Sequence, residues 1–122
     1  MNKYEQLFDE ILSQAQSGRL KWKQLRRQAN SDIIFDPCLV YRQYSAELQR
    51  EGGEFTVLLV EKKYDDPESD FAYQRRIPEL LILDEGELVT RITDSIIERT
   101  DMYKLINIVE TRSDKAQKLF GA

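Results

Sequence analysis

The triplet Glu61-Lys62-Lys63 closes an apolar run, Gly52-Gly53-Glu54-Phe55-Thr56-Val57-Leu58-Leu59-Val60, and places an acid and a lysine two residues apart. On an extended strand that spacing puts Glu61 and Lys63 on one face. There a carboxylate, joined by a second acid, would hold Mg²⁺ while the ammonium helps to activate water, the chemistry of metal-dependent phosphodiester cleavage. Asp36 or Glu54 are the acids that would complete such a site, and Lys21, Arg26 or Arg27 the cations that would hold a phosphate. The plainer reading of the same triplet is the point where a strand meets water.

The pairing of acid and lysine resembles the strand signature of restriction-endonuclease-like folds. In that signature a proline precedes the aspartate, whereas here Asp36-Pro37 has the reverse order. Other chemistries are excluded more firmly. The chain has no histidine, which removes the commonest general base near neutral pH and rules out Ser-His and Cys-His triads. A lone cysteine, Cys38, supplies neither an intramolecular disulfide nor a zinc ligand set, so a reducing interior is expected. The acidic stretch Asp65-Asp66-Pro67-Glu68-Ser69-Asp70 lacks the glycine and terminal glutamate of a calcium loop. No motif calls for a cofactor or a resident metal, and none is expected.

Charge is divided unevenly along the chain. The net charge is -4, yet residues 1–50 hold eight Lys/Arg against six Asp/Glu, and residues 51–122 hold ten against sixteen. Arg19, Lys21, Trp22, Lys23, Arg26 and Arg27 form a basic stretch around an aromatic ring, the composition of a phosphate-gripping, base-stacking surface. A sequence pI near 5.0 weighs against that reading, because electrostatics dominates nucleic-acid affinity. The opposite surface is acidic: Asp65, Asp66, Glu68 and Asp70, joined by Asp84, Glu85 and Glu87, would complement a basic protein and speed its encounter.

The elements that position these residues follow from periodicity. Tyr4, Leu7, Phe8, Ile11, Leu12 and Ala15 recur at helical steps, and Gly18 stands where a C-cap glycine belongs, so the first helix ends there. Leu20 and Trp22 alternate with basic residues, but the good helix formers of Lys23-Gln24-Leu25-Arg26-Arg27-Gln28-Ala29 favour a helix over 22–30. Residues 39–50 alternate in part, Glu51-Gly52-Gly53-Glu54 reads as a tight hairpin turn, and Thr56–Val60 is apolar enough to be a central strand buried on both faces. Phe71-Ala72-Tyr73 begins a further strand, which Pro78 must bulge, place at an edge or interrupt. That strand resumes at Leu80–Leu83, turns at Asp84–Glu87 and returns along Leu88–Ile92. Thr100 then caps a helix carrying Met102, Leu105, Ile106 and Val109, and Ser113 caps a short one that Gly121 closes.

The 122 residues read as a single α+β domain. It comprises an N-terminal amphipathic helix, a four- to five-stranded antiparallel meander, and C-terminal helices packed on one face. Gly18-Arg19-Leu20-Lys21-Trp22, Asp84-Glu85-Gly86-Glu87-Leu88 and the stripe Met102 to Val109 resemble segments of a group of small bacterial and phage α+β proteins. The resemblance implies the fold and a strand at 20–23. No segment approaches the ~20 apolar residues of a membrane span, and the N-terminus lacks the apolar run of a signal peptide, so a soluble cytoplasmic protein is expected. The function expected is non-enzymatic binding of a protein partner through acidic loops, in the manner of an inhibitor or immunity protein. The nucleic-acid module and the nuclease are the alternatives, and an exposed edge strand leaves room for a homodimer.

Overall fold

A computed structural model describes residues 2–25, 40–65 and 74–121. Helix α1 runs Lys3–Ser17. Its start is fixed by Asn2, whose side chain accepts from the Glu5 backbone N–H at 2.8 Å and donates to the Glu5 carboxylate at 3.1 Å, a reciprocal cap. Its end is fixed by Gly18 in the left-handed conformation (φ 81°), with the Arg19 N–H reaching back to the Gln14 carbonyl. Phe8, Ile11 and Ala15 are its buried face, as the periodicity requires.

Five strands follow: β1 Lys23–Leu25, β2 Val40–Arg50, β3 Gly53–Asp65, β4 Gln74–Asp84 and β5 Glu87–Ile92. They form one antiparallel sheet in chain order. Helices α2, Arg99–Arg112, and α3, Asp114–Phe120, complete the α+β architecture expected from the sequence. The main core lies between the helices and one sheet face, where Phe8, Ile11, Leu105 and Val109 meet Tyr44, Leu48, Val57, Leu59, Leu80 and Ile82. A second cluster, Leu58, Val60 and Leu81, is equally buried on the opposite face and draws on no described helix. Val57–Val60 is thus the middle of the sheet, sealed on both sides, while Thr56 is half-buried. No helix among the described residues is long and apolar enough to cross a membrane.

Two details differ from their sequence expectations, the first being that α2 begins at Arg99 with Glu98 at the cap position and no side-chain cap, so Thr100 lies within the helix rather than capping it. The second is β1. Lys23–Leu25 is a strand and not the start of a helix over 22–30; the remainder of that segment lies outside the described residues. Leu20 and Trp22 are both buried while Arg19, Lys21 and Lys23 are exposed, a two-residue alternation. Pairing with β2 (Lys23 opposite Ser45, Leu25 opposite Gln43) outweighs the helical propensity. The outer margin of β1 meets α3: Asp114 accepts the Gln24 N–H at 2.9 Å, and its own N–H reaches the Trp22 carbonyl at 3.0 Å. Pro78 sits within β4 opposite Glu61, past the point where the β5 ladder stops at Leu80–Ile92, so no β5 partner calls on its missing N–H. The other edge, β5, carries a bulge: Ile82 pairs with Thr90 and Leu83 with Leu88, leaving Val89 as the extra residue.

These burials set stability. Leu59→Ala, at a position with no exposed surface, is expected to cost roughly 2–5 kcal/mol in urea unfolding. Leu119→Ala, at a residue 77% exposed, is expected to stay within about 0.5 kcal/mol of the parent.

Candidate functional site

The apolar run of β3 gives way to Glu61, and the structure places it inside. Its side chain is 4% exposed, with Oε2 3.2 Å from Arg42 Nε. The irregular register between Val40 and Arg42 seats Arg42 opposite Glu61, and the same guanidinium donates from Nη2 to Glu110 of α2. On the other sheet face Glu79, 7% exposed overall, stands 2.7 Å from Arg91 Nη2 and 3.3 Å from Lys62 Nζ. Desolvating a carboxylate costs several kcal/mol unless a cation and hydrogen bonds replace its water. Glu79 receives both from Lys62 and Arg91, and Glu61 receives the cation of Arg42. The arrangement clamps strand to strand and β3 to α2.

The nuclease candidates do not converge. Glu54 lies seven residues back along β3, roughly 23 Å away and, by odd spacing, on the opposite face from Glu61. Lys63 follows in the same strand with Arg76 as its register partner, and Asp36 lies outside the described residues. No group of three His, Cys, Asp or Glu able to hold a metal occurs among the described residues.

Of the basic stretch, Arg19, Lys21 and Lys23 are exposed, and Arg26 and Arg27 lie outside the described residues. Trp22 is 3% exposed and belongs to the main core. Its ring packs and is not presented for stacking on bases.

The two acidic segments also separate. Asp65 pairs with Gln74 at one end of the β3–β4 ladder, while Asp84 stands ten residues along β4, roughly 33 Å away. Asp66, Glu68 and Asp70 lie outside the described residues. Asp84, Glu85 and Glu87 do stand together, all exposed, around the β4–β5 turn. In a meander alternate turns share an end, so the β2–β3 turn brings Glu51 and Glu54 to the same side. Thr56 opposite Leu83 sets Glu54 level with the β4–β5 turn.

Among the described residues none of these five carboxylates has an ion-pair partner. No Lys or Arg occurs in 51–61 or 77–90, and the neighbouring Arg50 leans on Glu10 at 3.5 Å. The two turns were legible one at a time; their juxtaposition needed the meander register.

Glu85 adds a second signal. It has φ 51° and is followed by Gly86 at φ 86°, so both central turn residues are left-handed, the conformation that favours Asn-Gly. Glu85 is the one positive-φ residue other than glycine among the described residues. A residue with Cβ in this region bears strain of about 1 kcal/mol, here at an exposed acidic tip.

Arg42→Ala removes a cation from the buried Glu61 and is expected to lower stability by about 3 kcal/mol in urea titration. Arg99→Ala removes an exposed partner of Asp94 and should cost less than about 1 kcal/mol. Glu85→Asn is expected to raise stability by roughly 0.5–1 kcal/mol, because asparagine tolerates the left-handed turn better.

Comparison with protein-family models, with curated proteins and with solved structures finds no match to this chain.

Proposed function

We propose that this is a small cytoplasmic binding protein, of the kind bacteria and phages use as inhibitors or immunity factors, that engages a basic protein partner through the acidic end of its sheet. The observation that carries the reading is the set of five unpaired, exposed carboxylates, Glu51, Glu54, Asp84, Glu85 and Glu87, gathered from two turns. Carboxylates near the sheet interior are matched with Arg or Lys, so the free ones are segregated outside. A single-sign field at one end of a molecule accelerates the approach of an oppositely charged surface and fixes its orientation. Burial of Glu61 against Arg42, and of Trp22 in the core, supports this reading over the nuclease and the base-stacking module.

The test is retention of proteins from a nuclease-treated lysate of the native host. It compares the parent with the triple variant Asp84→Lys/Glu85→Lys/Glu87→Lys after circular dichroism confirms an unchanged fold. The expected result is a partner held by the parent in low salt, weakened by added salt and lost by the variant. An identical set retained by both proteins refutes the reading. Incubation with DNA and RNA in Mg²⁺ or Mn²⁺ is expected to leave them intact, and cleavage abolished by Glu61→Gln would assign the nuclease instead. No gel shift is expected at low salt, and one lost on replacing Arg19, Lys21 and Lys23 would assign nucleic-acid binding.

A further inference from the structure

Two cavities run together between α1 and the sheet. The inner one, about 280 Å³, is floored by the buried Leu48 and Ile82 and walled by Leu7, Phe55 and Val89. The outer one, about 420 Å³, adds Lys3, Tyr4 and Gln6 of α1. Leu7, Arg50, Val89 and Thr90 line both, so the two form one trough, apolar at its inner end and polar at its mouth. Together they reach the size of small-ligand sites.

The bulge in β5 builds one wall. Neighbouring residues of a regular strand take opposite faces, and Thr90 lies opposite the core residue Ile82. Regular pairing would turn Val89 away, yet it lines the trough beside Thr90 and is 57% exposed. The extra residue re-aims it and leaves an aliphatic side chain where water meets the slot.

Charge selects the occupant. Lys3 and Arg50 reach the mouth from α1 and β2, and no carboxylate lines either cavity. Lys3 has no ion-pair partner among the described residues, its ammonium lying 5.6 Å from the centroid of the Tyr4 ring. Arg50 touches Glu10 through Nε at 3.5 Å, an exposed pair worth little. Its Nη nitrogens have no hydrogen-bond partner among the described residues. Of the turn acids, Glu54 precedes Phe55 and so takes the opposite sheet face, and the others lie outside the lining. An apolar slot beneath such cations suits a molecule with an apolar body and one anionic head, and the planar fork of arginine matches a carboxylate.

We infer that the trough binds a small carboxylic acid with an aliphatic body. The body lies over Leu48 and Ile82 between Leu7, Phe55 and Val89, and the carboxylate sits at the mouth between Lys3 and Arg50. This site goes beyond the partner reading and does not depend on it.

Calorimetric titration and backbone-amide NMR with sodium octanoate test this, with octanol, octylammonium and acetate as controls. Saturable octanoate binding is expected, with shifts at Leu7, Arg50, Val89 and Thr90, weaker binding of octanol, and none of octylammonium or acetate. Val89→Asp should weaken octanoate by about tenfold or more. Lys3→Ala/Arg50→Ala should weaken octanoate by about fivefold or more and leave octanol within about twofold. All three positions are exposed, so both variants are expected to keep the parent's circular dichroism spectrum, and the ligand series is read on the parent alone.

A parent that binds no octanoate overturns the inference. So do octanol or octylammonium held as tightly as octanoate, shifts confined to other parts of the chain, or octanoate binding unmoved by either variant.

Discussion

A guanidinium shared by two carboxylates holds the architecture together. Arg42 lies between Glu61 on the central strand and Glu110 on α2, and thereby joins the sheet to the helical layer at a point where apolar packing gives way to charge. β3 requires such a device. Its apolar run is buried on both faces, so the strand cannot leave the interior gradually, and the first polar residue after Val60 is still inside. Glu79 meets the same constraint on the opposite face, answered by Lys62 and Arg91. Neither acid is stable there alone, and the cations that serve them are drawn partly out of solvent.

That withdrawal shapes the exterior. The sequence carries four more acids than bases. Arg42, Lys62, Arg91 and Arg112 are committed to inward partners, the last to the Ala15 and Gln16 carbonyls at the end of α1. What remains outside is unevenly signed: a carboxylate-rich end at the β2–β3 and β4–β5 turns, and exposed lysines on α3 at the other margin of the sheet.

Much of the fold could be read from the residues. α1 with its glycine cap, both hairpins, the doubly buried β3 and the existence of the terminal helices follow from local spacing and turn chemistry, whereas the Asn2 cap of α1 does not and α2 starts ahead of Thr100. β1 did not follow either, because three residues of good helix formers carry less local information than their pairing with Ser45, Tyr44 and Gln43. The acidic site was half legible. Asp84, Glu85 and Glu87 are adjacent in sequence and in space, whereas their union with Glu51 and Glu54 depends on strand order. Grouping them with Asp65 failed for the same reason, since Asp65 and Asp84 mark opposite ends of one ladder. Glu61 looked like a catalytic acid because spacing reports which face a side chain takes and says nothing of whether water reaches it.

The kink at Val89 has a further consequence for how the protein keeps company with itself. An unbroken outer strand is a template on which identical chains zip together without limit, backbone to backbone. Here one border of the sheet is stoppered by the Asp114 carboxylate and the other is crimped by an extra residue. Lateral stacking into ribbons is thereby discouraged at both borders.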